Sequence, residues 1–288
     1  MFVSLGALLM AVADIVIKKL LNQGISVVDL VAIRDLIGFF LLFLWTAVFA
    51  PEVLKISKKD FPYFLIFGTV GVAMLHFFGI WSVKINSVST AIVLLYTSPI
   101  FIFIWTALTR REKLFPYEII AAAIILTGII VAFQFYQPDK FCAHWFGILV
   151  GISSAVIFAF STILGKQGVI NFPPLTISVY GMGVASVFWL LTGFPLRFLT
   201  TKHTLWTWSG LVLVAVLCML FMPVFYILGL QTIRSAEANL TASLEQVFVM
   251  GLSYALLQER LETLQFCGLF LIVFGVAYLQ IKGAKMVA

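Results

Sequence analysis

Long apolar runs, separated by short polar or charged gaps, make up most of this chain. A helix needs about 20 mostly apolar residues to cross the hydrocarbon core of a bilayer. The gaps divide the chain into ten candidate membrane-spanning helices, at residues 2–21, 27–49, 60–82, 86–109, 115–134, 144–164, 174–195, 205–230, 235–257 and 262–281. The pattern therefore predicts an all-α integral membrane protein with ten transmembrane helices.

The second half of the sequence repeats the first at an offset of 147 residues, as from Glu112 to Glu259. Other matched positions are Phe78 with Phe225, Ala91 with Ala238, Phe101 with Phe248 and Gly128 with Gly275. Ten spans shared between two repeats give five each, and an odd number makes the two halves face opposite ways across the membrane. The sequence thus predicts two inverted five-helix repeats, at 1–136 and 144–288, joined by a linker at 137–143.

Composition and charge agree with a membrane protein. Charged residues make up 10% of the chain and hydrophobic residues 62%, whereas about a quarter of the residues of a soluble domain are charged. The net charge of +6 comes from Lys and Arg residues in the short gaps, which indicates membrane topology and argues against a nucleic-acid-binding surface. Tryptophans near the predicted span ends, Trp189 among them, are typical of an interfacial aromatic belt.

Basic residues also predict the orientation. The two densest clusters, around Lys58 and Arg111, lie on the same predicted side of the membrane. The positive-inside rule places that side in the cytoplasm. We therefore expect a multi-pass protein of a bacterial cytoplasmic membrane, with both termini in the cytoplasm.

Three local motifs carry a family resemblance. They are Tyr96-Thr97-Ser98-Pro99-Ile100-Phe101 followed by Arg111-Glu112-Lys113-Leu114, Leu244-Glu245-Gln246-Val247-Phe248 followed by Gln258-Glu259-Arg260-Leu261, and Phe225-Tyr226 leading into Ser235-Ala236-Glu237-Ala238. With them, nearly the whole chain resembles the drug/metabolite transporter superfamily, and within it the proteins with two EamA-type repeats of five helices. The chain departs from the family pattern at Gln246, where proline is common. It also departs at Asp14 in the first helix, where the family frequently has an aromatic residue followed by glycine. The resemblance implies a transporter, in a family that moves amino acids, amines, sugars, nucleotide derivatives and drugs.

Charged side chains inside predicted spans are functional candidates, because each costs roughly 2.5 to 3.5 kcal/mol to insert. Asp14 lies seven residues before the end of predicted helix 1, and Arg34 lies seven after the start of predicted helix 2. Both should lie about 10 Å deep, with His76 of predicted helix 3 near that level. We expect Asp14 and Arg34 either to form an ion pair or to contact the substrate. Asp35 is an alternative acid, but it should point roughly 100° away from its neighbour Arg34 on a helix.

A second group of candidates surrounds predicted helix 9. A lone carboxylate at Glu245 requires water, a partner or a bound cation, and we interpret it either as a substrate- or proton-binding group or as a hydrogen-bond partner of a neighbouring helix. Its repeat counterpart is Ser98, in the same motif as Tyr96. The predicted substrate site thus consists of Asp14, Arg34, His76, Tyr96, Ser98 and Glu245. Lys166 and Glu237, near predicted cytoplasmic helix ends, form a candidate gate pair or simply lie at the interface.

These features predict a secondary active transporter that exports an amino acid, an amine or a related zwitterion by alternating access. The alternatives are a carrier for uptake or exchange of a nucleotide-like or other organic metabolite, and a channel or membrane scaffold. The sequence contains no metalloprotease, hydrolase or nucleotide-binding motif. We therefore expect no enzyme activity, no cofactor and no metal site. The expected partners are a small-molecule substrate, the lipid bilayer and protons as the coupling ion, and no nucleic acid, for a monomer or a homodimer.

Overall fold

The computed structural model describes residues 1–86, 88–109, 115–134, 145–192, 198, 203–257 and 262–287. Regular structure in these residues is helical throughout. The α-helices are α1 (Phe2–Asn22), α2 (Val27–Phe49), α3 (Phe61–Ile66), α4 (Leu75–Ile85), α5 (Val88–Leu95), α6 (Ser98–Thr109), α7 (Pro116–Ala132), α8 (Trp145–Asn171), α9 (Pro174–Leu191), α10 (Leu205–Val214), α11 (Met222–Thr232), α12 (Ser235–Ala242), α13 (Leu244–Leu257) and α14 (Thr263–Val287). A 3-10 turn occupies Pro51–Leu54, and π-helical segments occupy Phe67–Met74 and Ala215–Phe221.

Several helices have the length and composition of membrane spans. Five continuous helical stretches in the described ranges meet both conditions. They are Phe61–Ile85 (α3, the first π-helical segment and α4), Trp145–Asn171 (α8), Pro174–Leu191 (α9), Leu205–Thr232 (α10, the second π-helical segment and α11) and Thr263–Gly283 (most of α14). Two shorter apolar helical stretches are Val93–Thr109, which runs from the end of α5 through α6, and Pro116–Ala132, which is α7. The prediction of an all-helical, multi-pass membrane protein is confirmed, whereas the number of ten crossings stays a prediction.

The two halves of the chain have matching elements. The shift of 147 residues found in the sequence, as from Glu112 to Glu259, carries α5 onto α12, α6 onto α13 and the first π-helical segment onto the second. The linker at 137–143 and the charged motifs at 111–114 and 258–261 lie outside the described residues.

The halves are interleaved by their first helices. Helix α1 packs against α10, α11, α12, α13 and the second π-helical segment, all in the second half. Helix α8 packs in the same way against α4, α5, α6 and the first π-helical segment. This exchange lays the middle of α1 beside the start of α13.

Two predicted helices are interrupted in the structure. The predicted span 86–109 is broken between α5 and α6, at Tyr96 and Thr97, and the predicted span 235–257 is broken between α12 and α13, at Ser243. Proline lacks a backbone N–H and clashes with the preceding turn, so Pro99 explains the first break. At the second break the Ser243 hydroxyl donates to the carbonyl of Leu240 at 2.6 Å, a local bond that competes with the helical pattern.

Candidate transport site

A pair of carboxyl groups lies where α1 crosses α13. Asp14 comes from α1, and Glu245 from the first turn of α13, directly after the helix break. The two side chains are half-buried and lie within hydrogen-bonding reach of each other. An ionised carboxylate can only accept a hydrogen bond. The two groups can therefore share a hydrogen bond only when one of them holds a proton.

Polar neighbours from both halves hold Glu245. The hydroxyl of Tyr96, in the break between α5 and α6, lies 3.3 Å from Glu245 Oε2 and 3.1 Å from the carbonyl of Ala242. The amide of Gln246 donates to Glu245 Oε1 at 3.3 Å. The structure thus brings Tyr96 and Glu245 together, as parts of two broken helices that meet.

The corresponding crossing in the other half carries different chemistry. The repeat offset that takes Ser98 to Glu245 takes Asp14 to Ser161, so the equivalent positions carry hydroxyl groups in place of carboxyl groups. The Ser98 hydroxyl donates to Asn239 Oδ1 at 2.8 Å, in a fully buried network. The Asn239 amide in turn donates to Thr162 Oγ1 at 3.5 Å. Ser98 is therefore hydrogen-bonded in a network with Asn239 and Thr162, and no bond from it to the carboxyl pair is formed among the described residues.

A second charged cluster surrounds Asp35 of α2. His76 Nδ1 donates to its carboxylate at 3.0 Å, and Trp189 Nε1 donates to Asp35 Oδ2 at 3.1 Å. Arg34 Nε lies 3.6 Å from Asp35 Oδ1. Both Arg34 and Asp35 are buried, so this ion pair lies in the interior of the helical bundle.

The expected ion pair between Asp14 and Arg34 is not formed, because Arg34 pairs with Asp35. Asp14 instead lies beside Glu245. Asp35, the alternative acid of the sequence analysis, is thus the observed partner of Arg34, despite the angle of roughly 100° between neighbouring positions on a helix. The sequence argument missed Trp189, which is buried at the cluster and not in an interfacial belt. Trp189 lies near the end of its span, so no signal in the sequence distinguished it from the other tryptophans.

The two candidate gate residues hold helix ends. Lys166 Nζ donates to the carbonyls of Leu230 and Ile233, at 2.7 Å each, at the end of α11. Glu237 accepts a 2.9 Å hydrogen bond from the hydroxyl of Tyr117 at the start of α7. Both residues thus join separate helices, as a gate requires, while a direct Lys166–Glu237 contact stays a prediction.

A buried ion pair beside Glu237 was missed by the sequence argument. Arg234 Nη1 lies 2.9 Å from Glu118 Oε1, and the guanidinium stacks over the ring of Phe115 at 4.5 Å. Glu118 is fully buried and accepts a 3.0 Å bond from the backbone N–H of Phe115. Glu118 follows Pro116 at the start of a predicted span, which is a helix-start signal but gives no indication of a distant partner.

Histidine, cysteine and acidic side chains form no cluster of three or more that could hold a metal ion in the part of the chain that the structure describes. The polar groups of the site are carboxyl, hydroxyl, amide, imidazole and guanidinium groups. They suit an organic ligand or a proton.

The two halves match and interleave, and titratable side chains lie where their broken helices meet. This arrangement defines a two-repeat membrane transporter. The chain belongs to the EamA-like transporter family, whose family model matches residues 1–134 and 145–280. The resemblance based on the local motifs is thereby confirmed, including its two repeats.

Individual relatives agree at low identity. The chain is 23% identical, over 89% of its length and 86% of the relative's, to the uncharacterized inner membrane transporter YicL of Salmonella typhimurium. It is 26% identical to an uncharacterized transporter of Methanothermobacter thermautotrophicus over 51% of this chain, and it spans only 46% of that relative. A solved crystal structure shares the fold, with a TM-score of 0.78 and 16% identity, over 100% of this chain and 98% of the other.

Proposed function

We propose that this protein is a secondary active transporter that exports an amino acid, an amine or a related zwitterion in exchange for protons. The observation that carries the proposal is the carboxyl pair of Asp14 and Glu245 at the crossing of α1 and α13. Glu245 belongs to a broken helix, and in transporters built from repeats such discontinuous helices surround the substrate.

The coupling follows from the chemistry of two adjacent carboxylates. Their charges repel, and either a shared proton or a cation between them relieves the repulsion. A proton and a substrate ammonium group therefore compete for the same place. Tyr96 and Gln246 fix the orientation of Glu245, so that an ammonium group between the carboxylates is also within reach of a hydroxyl. Competition for one place converts a proton gradient into substrate movement in the opposite direction.

Alternating access requires the two halves to move against each other. We assign residues 1–136 and 144–288 to two inverted five-helix repeats, joined at 137–143, that rock around the carboxyl pair. Lys166 and Glu237 are the proposed gate residues at the cytoplasmic end, because each is hydrogen-bonded to the start or the end of a separate helix. The bacterial cytoplasmic membrane is the proposed location, in line with the inner-membrane name of one relative.

Transport by the purified protein in proteoliposomes tests this proposal. A panel of labelled amino acids and amines is offered outside vesicles with an acidic interior, so that protons leave as substrate enters. At least one compound should accumulate above its equilibrium level and stop accumulating when a protonophore is added. Flux that does not saturate with concentration would instead indicate a channel.

Membrane topology has a separate test. Single cysteines at Ser57 and Lys285, in a background without other cysteines, should be shielded in intact cells from an impermeant thiol reagent. A cysteine at Asp139 should react. Labelling at all three positions from outside would contradict both the inverted repeats and the cytoplasmic termini.

A further inference from the structure

The guanidinium group of Arg34 has donors that nothing in the described part of the chain uses. Arg34 is 2% exposed, and its Nε and Nη1 atoms have no hydrogen-bond partner among the described residues. Buried polar groups in folded proteins are nearly always hydrogen-bonded, and an exception calls for a water, an ion or a ligand. An arginine with free donors deep in a helical bundle therefore points to a missing partner.

Asp35 balances the charge of Arg34 but does not satisfy its hydrogen bonds. The 3.6 Å separation between Arg34 Nε and Asp35 Oδ1 is too long for a hydrogen bond. The Asp35 carboxylate is held in place by His76 and Trp189, at 3.0 and 3.1 Å. Asp35 thus acts as a positioning residue, which offsets the charge of the guanidinium and leaves its donors available.

The missing partner is best matched by a carboxylate. The guanidinium is a planar fork whose paired N–H groups fit the two oxygens of a carboxylate or phosphate. Helix α2, which carries Arg34, and helix α1, which carries Asp14, both pack against the second π-helical segment. A small molecule with an anionic group and an ammonium group a few bonds apart has complementary partners in both clusters.

We propose that Arg34 is the receptor for the carboxylate of the substrate, so that the transported compound is a zwitterionic amino acid and not a simple amine. The inference rests on the proposed function, since the ammonium group is assigned to the Asp14–Glu245 pair. His76 and Trp189 act through Asp35 to hold the carboxylate receptor.

Matched pairs of compounds test this assignment. Binding to the purified protein in detergent is measured for leucine and isoamylamine, phenylalanine and phenethylamine, and alanine and ethylamine, each pair differing only by the carboxylate. The variants are Arg34→Gln and the double variant Arg34→Gln with Asp35→Asn. The double variant removes both members of the ion pair, and therefore leaves no unpaired buried charge to unfold the protein.

In the wild-type protein, at least one amino acid should bind at least about tenfold more tightly than its amine, the effect of one charge-assisted hydrogen bond. In the double variant this preference should fall below about twofold, through loss of amino acid binding. Equal binding of both members of each pair by the wild-type protein, or an unchanged preference in the double variant, would overturn the assignment to Arg34. Binding of none of the six compounds would overturn the proposed function as well.

Discussion

Replacing Glu245 by glutamine should abolish proton-driven accumulation of substrate while leaving substrate exchange at least partly intact. Glutamine keeps the shape of the side chain, and its carbonyl oxygen can accept from Gln246 while its NH2 group donates to the Tyr96 hydroxyl, but it cannot take up or release a proton. Asp14 remains to attract the substrate ammonium group. Accumulation in proteoliposomes under an imposed pH gradient should therefore fall to the level of vesicles without protein, and counterflow of labelled substrate should persist.

Glu262→Gln is the matched control for this substitution, because Glu262 is an exposed carboxylate just before α14. It makes the same chemical change outside the site and should leave gradient-driven accumulation unchanged. Accumulation that persists in Glu245→Gln, with the control also active, would show that Glu245 is not the coupling group. Its role would then be a hydrogen bond between helices.

Gly128→Leu should cause a large loss of stability. Helices α7 and α14 pack closely there: a Cβ atom at Gly128 would lie 2.8 Å from the carbonyl oxygen of Gly268 and 2.9 Å from Ile272 Cγ1. Adding side-chain atoms to a well-packed contact lowers the free energy of unfolding by about 1–3 kcal/mol. The cost is high here because backbone atoms cannot move aside as the end of a side chain can. We expect the melting temperature of the purified protein in detergent to fall by at least about 5 °C.

Gly251→Leu provides the comparison, since no atom lies within 4 Å of a Cβ built at that position. It adds the same side chain to an exposed point on α13, and its melting temperature should stay near that of the wild-type protein. Equal melting temperatures for the two variants would mean that α7 and α14 separate readily, so that their contact contributes little to stability.

Helix bounds were predictable at some charged or turn-forming gaps but not at all of them, since α8 continues through Lys166 to Asn171 although its predicted span ended at 164. The predicted span 27–49 matches Val27–Phe49, and the family model confirms the repeat found from the offset. The first helix break has a sequence signal in Pro99. The second break has none, because a serine such as Ser243 is common inside membrane helices and only the folded structure shows its bond to Leu240.

The candidate site was harder to predict than the helices, because pairing depends on which helix faces meet. Depth along a helix placed Asp14 and Arg34 at one level, but depth does not give direction. The interleaved packing turns Asp14 toward Glu245 and leaves Arg34 beside Asp35. The binding of substrate by these residues, and by His76, Tyr96 and Ser98, stays a prediction.

The two π-helical segments, Phe67–Met74 and Ala215–Phe221, occupy equivalent places in the two halves. Each turn of a π-helix holds more residues than a turn of an α-helix, so such a segment is equivalent to an insertion in an otherwise regular helix. One insertion before a gene duplication accounts for both segments. Two insertions after the duplication would have to occur independently at equivalent positions of the two halves. The simplest history therefore begins with a gene of half this length that already encoded the irregular helix. Two copies of its product would have exchanged their first helices, as α1 and α8 now do within one chain.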